Sequence, residues 1–480
     1  MQPRSPIVTI LGHVDHGKTT LLDFIRKSKV TEQEHGGITQ RIGAYEIATG
    51  ITGYSTDSIT FIDTPGHEAF TKLRSRGATV ADIALLIIDA KDSLKPQTVE
   101  SISHIKAAKI PYIVVLNKID LPDAKPDKVK LDLLKHEVLV EGKGGDVPVA
   151  QISAKTGHGV PELLESILLI AADQKLTFDP TATPEAFIIE TKKDRRGSVV
   201  SAIIKNGTFQ KGQTIYAGGN KAVVRSLILD NGKQVDSVSP STPFELLGFT
   251  DLPEVGSSIS TIEQVKTQEK IETQRRTINF QDLFAKEEGK KLSIVLKADT
   301  QGSLEAIKHS MSESKNLDIV LASIGELSKS DIFLAKSTKS IVIGFNTKPS
   351  NEVKDLAKQE KVAIKTYSII YELLEELTEV ADLIREKEEH EKSIKGEAKV
   401  LATFVIGDEK IFGVRINKGK ANLNDGVQLY RDNKPVAKST LSSLRIHAKP
   451  VEEVKKDQEA GMLFDPNIDI RVGDVIKFIL

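Results

Sequence analysis

Residues 11–24 read LGHVDHGKTTLLDF, and this stretch decides the fold. The segment before it, Pro6–Leu11 (PIVTIL), is short, apolar and rich in β-branched residues, so it predicts a buried strand. The segment after it, TLLDFI, has helical spacing. Between them stands Gly12-x-x-x-x-Gly17-Lys18-Thr19. Strand, glycine loop and helix in this order form a phosphate-binding turn. Gly12 and Gly17 reach backbone angles that other residues resist, so successive N–H groups turn inward toward phosphate oxygens. Lys18 places a point charge on the β and γ oxygens, the Thr19 hydroxyl can ligate Mg²⁺, and the helix start adds partial positive charge. Asp15, His16, Gly17, Lys18, Thr19 and Thr20 are the expected phosphate-site residues of this loop.

Three stretches downstream choose the nucleotide. Ile59–Phe70 (ITFIDTPGHEAF) predicts a strand ending in Asp63, followed by Thr64-Pro65-Gly66. A carboxylate there can hold Mg²⁺ through water, and the Gly66 N–H can meet a γ-phosphate. IPYIVVLNKID predicts another strand, ending in Asn117-Lys118-x-Asp120. The Asp120 carboxylate accepts guanine's adjacent N1–H and N2–H, a donor pair that adenine lacks. Asn117 can bond the purine's other edge, and the Lys118 stem can pack along the ring. ISAKTG closes the set, where the Ser153-Ala154-Lys155 backbone can donate to guanine O6. A mobile element is also legible: EHGGITQRIG contains Gly36-Gly37-Ile38-Thr39. Thr39 offers a hydroxyl to Mg²⁺ and an N–H to the γ-phosphate, and both contacts go when that phosphate leaves. The expected metal ligands are Thr19, Thr39 and Asp63.

The totals set bounds. At 480 residues the chain is too long for one hydrophobic core, and three to five domains is the expectation. An apolar fraction of 39% and a charged fraction of 28% are those of a globular protein. No run of about eighteen apolar residues occurs, so no membrane helix is expected. MQPRSPIVTI has no signal-peptide apolar region. Cysteine is absent, which removes disulfides, thiolate metal sites and thiol nucleophiles and suits a reducing cytoplasm. An organellar protein stripped of its transit peptide would look the same. The formal net charge is −1, so any RNA contact must come from local patches.

Beyond the Pro/Thr linker TFDPTATPE, residues 185–262 carry short alternating strands with glycine turns and predict a small β-barrel (domain 183–262). A similar order returns over 397–480. Between them, strands near LSIVLKA, LDIVLAS, SIVIGF and VAIKTY alternate with helices, predicting a small parallel sheet covered by helices over 291–367. ADTQGSLEA there is a turn and helix start, not a second nucleotide site. Two charged helices join the pieces, a linker over 263–290 and a spacer over 368–396. The spacer's apolar stripe (Ile370, Leu373, Leu374, Leu377, Val380, Ile384) fits 3.6 periodicity and then vanishes over REKEEHEK. At 1.5 Å per residue the spacer reaches about 40 Å. The expected fold is therefore multidomain α/β: a P-loop GTPase domain (1–176), a β-barrel, a small α/β sandwich, a long spacer helix and a C-terminal β-barrel.

GHVDHGKT, GGITQ, DTPGHEAFTKLRSRGA, KPQTVESISHIKAAKIP, NKID and SAKTGHG together resemble a translational GTPase, specifically the bacterial and organellar type of initiation factor two. KADTQGSLEAI, IGFNTKP, YSIIYELLEEL and the closing VGDVI extend the resemblance from about Pro3 to Leu480. It implies that His67 orients the attacking water, that Val14 and Ile38 form an apolar gate beside it, and that Asp15 helps hold a monovalent cation. It implies GTP/GDP and Mg²⁺ as ligands. It also implies small and large ribosomal subunits, initiator tRNA and rRNA as partners, with no membrane, for a monomer that works in the cytoplasm. The physical reading of His67 agrees: no glutamine follows DTPG, and no arginine finger is evident in cis, so slow turnover raised by a partner is expected.

Residues 397–449 hold ten Lys/Arg against five Asp/Glu, a modest basic excess of the kind that faces phosphate. The resemblance places the pocket for the blocked methionine of initiator tRNA on SSLRIHAK and KKDQEAGM, at Arg445, Glu459, Ala460 and Gly461. Ile446 stands where the family usually has a second basic residue, and Ala460 where it usually has cysteine. Two rival readings remain open at this point: an elongation-type carrier of any aminoacyl-tRNA, and a ribosome-assembly factor that uses GTP as a structural ligand.

Overall fold

The structure is a computed structural model that describes residues 1–28, 39–263, 291–312, 316–406, 409–432, 434–447 and 449–479, the side chains of 387–392, 406 and 409 excepted. All counts below are of the described residues. Gly36, Gly37, Ile38 and the linker-helix residues 264–290 lie outside them. The chain divides into two compact units that part between Thr378 and Glu379.

The first unit begins with a six-stranded sheet: β1 (Ile7–Gly12), β2 (Gly43–Ala48), β3 (Ser58–Asp63), β4 (Ile83–Asp89), β5 (Tyr112–Asn117) and β6 (Val149–Gln151), in the order β2-β3-β1-β4-β5-β6. Only the β2–β3 pair is antiparallel. Helices α1 (Lys18–Arg26), α2 (Thr71–Val80), α3 (Pro96–Ala108) and α4 (Pro126–Leu134) connect the strands, and α5 (Val160–Asp173) follows the last of them. Every residue of β1 and β4 is buried, the signature of a parallel sheet covered on both faces. Alternate residues serve alternate cores: Leu85 and Ile87 join one cluster with Leu21 and Ile167, while Leu86 and Ile88 join another with Ile102 and Leu133. The chain order reverses about β1, so the crevice beyond the carboxyl ends of β1, β3 and β5 is where such a sheet binds ligands.

Next comes an eight-stranded antiparallel sheet curled into a half-barrel, centred on the hairpin Glu185–Asp194 with Gly197–Asn206. Its inward residues, among them Ile188, Val200, Phe209 and Leu246, form their own core. The half-barrel docks on the nucleotide domain through Asp82. Arg4 donates to both oxygens of this carboxylate (2.6 and 2.8 Å), Lys205 approaches at 3.1 Å, and the Ile7 N–H donates at 2.9 Å. Burial pushes Asp82 up, but these donors outweigh it and hold the carboxyl below its ordinary range.

The alternation of strands and helices further along gives β7 (Leu292–Ala298), α6 (Gln301–Met311), β8 (Leu317–Ile324), α7 (Lys329–Thr338), β9 (Ile341–Phe345), α8 (Asn351–Glu360) and β10 (Ile364–Tyr367). The sheet is all parallel in the order β8-β7-β9-β10, as the sequence predicts. Thr300 caps α6 by accepting the Ser303 N–H, which accounts for ADTQGSLEA as a helix start. Helix α9 (Ile370–Ser393) follows. Ile370, Leu373 and Leu377 of its stripe are buried in one cluster with Ile62, Phe70 and Leu73 of the nucleotide domain and Leu304 and Ile307 of α6.

In the second unit, six strands close into an antiparallel barrel: Ile394–Ile406, Val475–Ile479, Gly426–Arg431, Lys434–Ile446, Glu459–Asp465 and Glu409–Asn422, the last pairing back to the first. Closure removes the unpaired edges an open sheet would leave. Its core holds Val400, Phe412, Leu429, Met462 and Phe478.

Candidate functional site

The loop after β1 turns sharply into α1. Asp15 (φ 64°) and Gly17 (φ 89°) take left-handed backbone angles. A Cβ on Gly17 would lie 2.2 Å from Asn117 Nδ2, so only glycine fits that approach. Lys18 opens α1, and its ammonium donates to the His13 carbonyl at 2.7 Å. Burial pushes it down to about 8, with Asp63 and Asp15 pulling up and Arg74 pushing further down. A desolvated cation ringed by loop backbone is the chemistry of an anion site.

Three expected metal ligands converge. Thr19 Oγ1 lies 2.6 Å from Thr39 Oγ1, which in turn lies 3.4 Å from Asp63 Oδ2. Two hydroxyls and a carboxylate are hard oxygen donors of the kind that suit Mg²⁺. Gly66 presses against the loop, where a Cβ would meet Lys18 Nζ at 2.5 Å and the Val14 nitrogen at 2.8 Å. Val14, Asp15, Gly17, Lys18, Thr19, Thr20, Thr39, Gly66, His67 and Lys118 line one cavity of about 350 Å³. A larger cavity of about 810 Å³, between β2, the half-barrel and the α/β domain, shares none of these residues.

At the base end, Asn117 ties two loops together. Its Nδ2 donates to the His16 carbonyl (2.8 Å) and its Oδ1 accepts the Ala154 N–H (2.9 Å). Lys118 pairs with Asp89 at 2.8 Å. Asp120 is exposed on the following turn, Ser153 and Ala154 are buried, and Lys155 is exposed. His16 is buried, with Nδ1 3.3 Å from the Ile87 carbonyl. Burial, together with the charges of His13 and Lys18, takes it down to about 4 against the pull of that carbonyl. Its ring is therefore neutral at neutral pH and packs edge-on against the His13 ring, with centroids 5.0 Å apart.

His67 caps the short helix Glu68–Phe70: its Nδ1 accepts the Ala69 N–H at 2.8 Å. Burial and the nearby Arg74 charge push the imidazole down to about 4. At neutral pH it is uncharged, and with Nδ1 accepting, the ring proton sits on Nε2. Sequence reasoning missed what holds this segment. Arg74 of α2 is fully buried. It donates to the Pro65 carbonyl at 3.0 Å, to the His67 carbonyl, and to both oxygens of Glu100 at 2.8 Å. The available signal was a basic residue at a buried helical spacing, next to Leu73 and one turn before Gly77 and Ala78. Asn117 as a bridge, Asp89 and Gln40 were also missed.

The four residues carried over for tRNA lie in the second unit. Arg445 and Gly461 face each other across paired strands, and Glu459 pairs with Arg415. Arg445 and Glu459 are exposed, whereas Ala460 is buried in the barrel core. Strand alternation thus brings Arg445, Glu459 and Gly461 to one outer surface and turns Ala460 away.

Comparison with known proteins follows the same division. The family described as "Elongation factor Tu GTP binding domain" matches residues 3–173, and "Elongation factor G domain 2" matches 183–262. Fold and site therefore define a P-loop GTPase of the translational class. "Translation-initiation factor 2" matches residues 266–378. "Translation initiation factor IF-2" of Thermotoga sp. (strain RQ2) is 41% identical over 99% of this chain and 71% of its own length. Those of Bartonella tribocorum and Aquifex aeolicus are 41% and 42% identical over 99% of this chain, and over 59% and 61% of their own lengths. This chain belongs to the translation initiation factor IF-2 family. It spans 59% of the Bartonella relative's length. Among solved structures, GDP-bound aIF5B from Aeropyrum pernix is similar at TM-score 0.47 and 26% identity, covering 99% of this chain and 92% of that one.

Proposed function

We propose that this chain is a GTP-dependent translation initiation factor. It stabilises initiator (formylmethionyl) tRNA on the small ribosomal subunit, promotes large-subunit joining, and hydrolyses GTP to GDP and phosphate on the ribosome before release. The observation that carries the reading is the convergence of Lys18, Thr19, Thr39 and Gly66 on one cavity, with Asp63 against the Thr39 hydroxyl, in a chain of this family.

In this reading the P-loop N–H groups from Asp15 to Thr20 and the Lys18 ammonium bind the phosphates. Thr19, Thr39 and Asp63 would hold Mg²⁺, which when bound neutralises phosphate charge. Asp15 would hold a monovalent cation. Asp120 reads guanine, the Lys118 stem lies along the ring, and the Ser153–Lys155 backbone meets O6. Asn117 fixes the loops that present these groups. Neutral His67 orients the attacking water, and Val14 with Ile38 gates its approach. A ring held down to about 4 is a positioning donor rather than a proton store. When the γ-phosphate leaves, Thr39 and Gly66 lose their common partner and the two segments relax. Arg445, Glu459 and Gly461 form the outer surface that meets the tRNA acceptor end.

The test has two arms. Ribosome-stimulated hydrolysis is compared for wild type and His67→Ala, where loss in the variant is expected and survival contradicts the assignment. Filter binding of initiator and elongator tRNAs, formylated or not, then separates this reading from an elongation-type carrier, which would bind them alike.

A further inference from the structure

The first turn of α9 closes against both segments that flank the cavity. Gln40 follows Thr39 directly, and its buried amide is used at both ends. Nε2 donates to the Ser368 carbonyl at 2.8 Å, and Oε1 accepts the Ile370 N–H at 3.0 Å. A helix start leaves its first N–H groups without internal partners. Gln40 supplies one of those partners from 330 positions upstream. One residue further along α9, the Tyr371 ring lies on His67, with centroids 4.2 Å apart and planes at 55°. On His67 itself, Nδ1 is committed to the Ala69 N–H and Phe70 stands edge-on at 6.1 Å. Ile370, between the two contacts, is fully buried in the cluster that holds Phe70 and Leu73. The turn is thus anchored by its own core residue while it touches one segment through an amide and the other through a ring.

We propose that the first turn of α9 is a latch on hydrolysis: Gln40 ties it to the segment bearing Thr39, and Tyr371 holds the His67 imidazole in its capping position until the turn is displaced. Both are positioning residues. The inference rests on the GTPase reading above and adds to it the group that restrains the imidazole. Swinging His67 about its side-chain torsions toward a water requires breaking the Ala69 cap and leaving the Tyr371 ring. Displacing the turn removes the second restraint, and through Gln40 the same displacement pulls on the residue next to Thr39. Hydrolysis is then slow while the turn is seated and faster when a partner moves it.

The experiment uses the full chain and the variants Tyr371→Ala, Tyr371→Phe and Gln40→Ala, without ribosomes. It measures equilibrium binding of a fluorescent GTP, single-turnover hydrolysis, and the imidazole resonances of ¹³C-histidine-labelled protein, with His67 assigned from His67→Ala. Tyr371→Ala is expected to raise basal hydrolysis about five- to tenfold with GTP affinity within about twofold. Its His67 resonance should lose the ring-current shift. Tyr371→Phe keeps the ring and should restore both the wild-type rate and the wild-type resonance. Gln40→Ala should raise the rate by about two- to threefold. An unchanged or lower rate in Tyr371→Ala with GTP binding intact overturns the latch alone, as does a His67 resonance that does not move. Failure of the wild-type chain to bind GTP overturns the underlying reading, and the latch with it.

Discussion

The nucleotide cavity and the outer face of the C-terminal barrel differ in how their residues are held. Around the cavity, Lys18, Asp63, Asn117 and Ser153 are buried, and each is held by hydrogen bonds within its loop or from another one. On the barrel face, Arg445 and Glu459 stand exposed on regular strands, placed only by register. A buried polar group that loses its partner costs the full desolvation penalty, whereas an exposed one returns to water. The contrast implies that cavity substitutions act strongly and specifically, and barrel-face substitutions weakly and in proportion to salt.

The sharpest way to break the comparison is Arg74→Met. Removing the guanidinium leaves the Pro65 carbonyl without its donor and strips one donor each from the Glu100 carboxylate and the His67 carbonyl. A loss of about 3 kcal/mol is expected in urea unfolding, against almost none for any barrel-face residue. Lys18→Ala should lower GTP affinity by about a hundredfold or more while leaving the circular dichroism spectrum unchanged. His67→Ala should lower ribosome-stimulated hydrolysis by about a hundredfold with GTP binding within about twofold.

A pH test sharpens the same point. Burial raises Glu100, but the His104 and Arg74 hydrogen bonds outweigh it and hold the carboxyl at about 2 against an ordinary 4.5. A depressed carboxylate stabilises the fold above its unfolded value. Its contribution is therefore complete above about pH 4.5 and is lost as pH falls toward 2. Glu100→Gln should flatten that acid limb of the stability curve. The smallest effect belongs to the barrel. Arg445→Ala should weaken initiator tRNA binding by about 1 kcal/mol, reduce the salt slope by about one unit and leave the melting temperature unchanged.

Much of the cavity is legible in the sequence because its chemistry is carried by short contiguous stretches. Gly12 to Thr19, Asp63 to Gly66 and Asn117 to Asp120 each follow an apolar strand, and the sheet order then brings their ends together. The parallel sheet over residues 292–367 was legible for the same reason: its periodicity is local. What was not legible is contact between distant residues. Nothing near Gln40 announces Ser368, and nothing near His67 announces Tyr371. The Arg4–Asp82–Lys205 junction joins three segments that share no motif. Ala460 shows a different limit. Its place beside Glu459 and Gly461 in the chain suggests a shared surface, but strand alternation turns it into the core.

The central claim is that a guanine nucleotide with its terminal phosphate is what the converging loops are built to hold. Competition of GTP and ATP against a labelled guanine nucleotide, on wild type and Asp120→Ala, tests it most directly. GTP should displace the label at least about a hundredfold better than ATP on the wild type, and Asp120→Ala should erase most of that preference. Equal displacement by the two nucleotides on the wild-type chain would contradict the account.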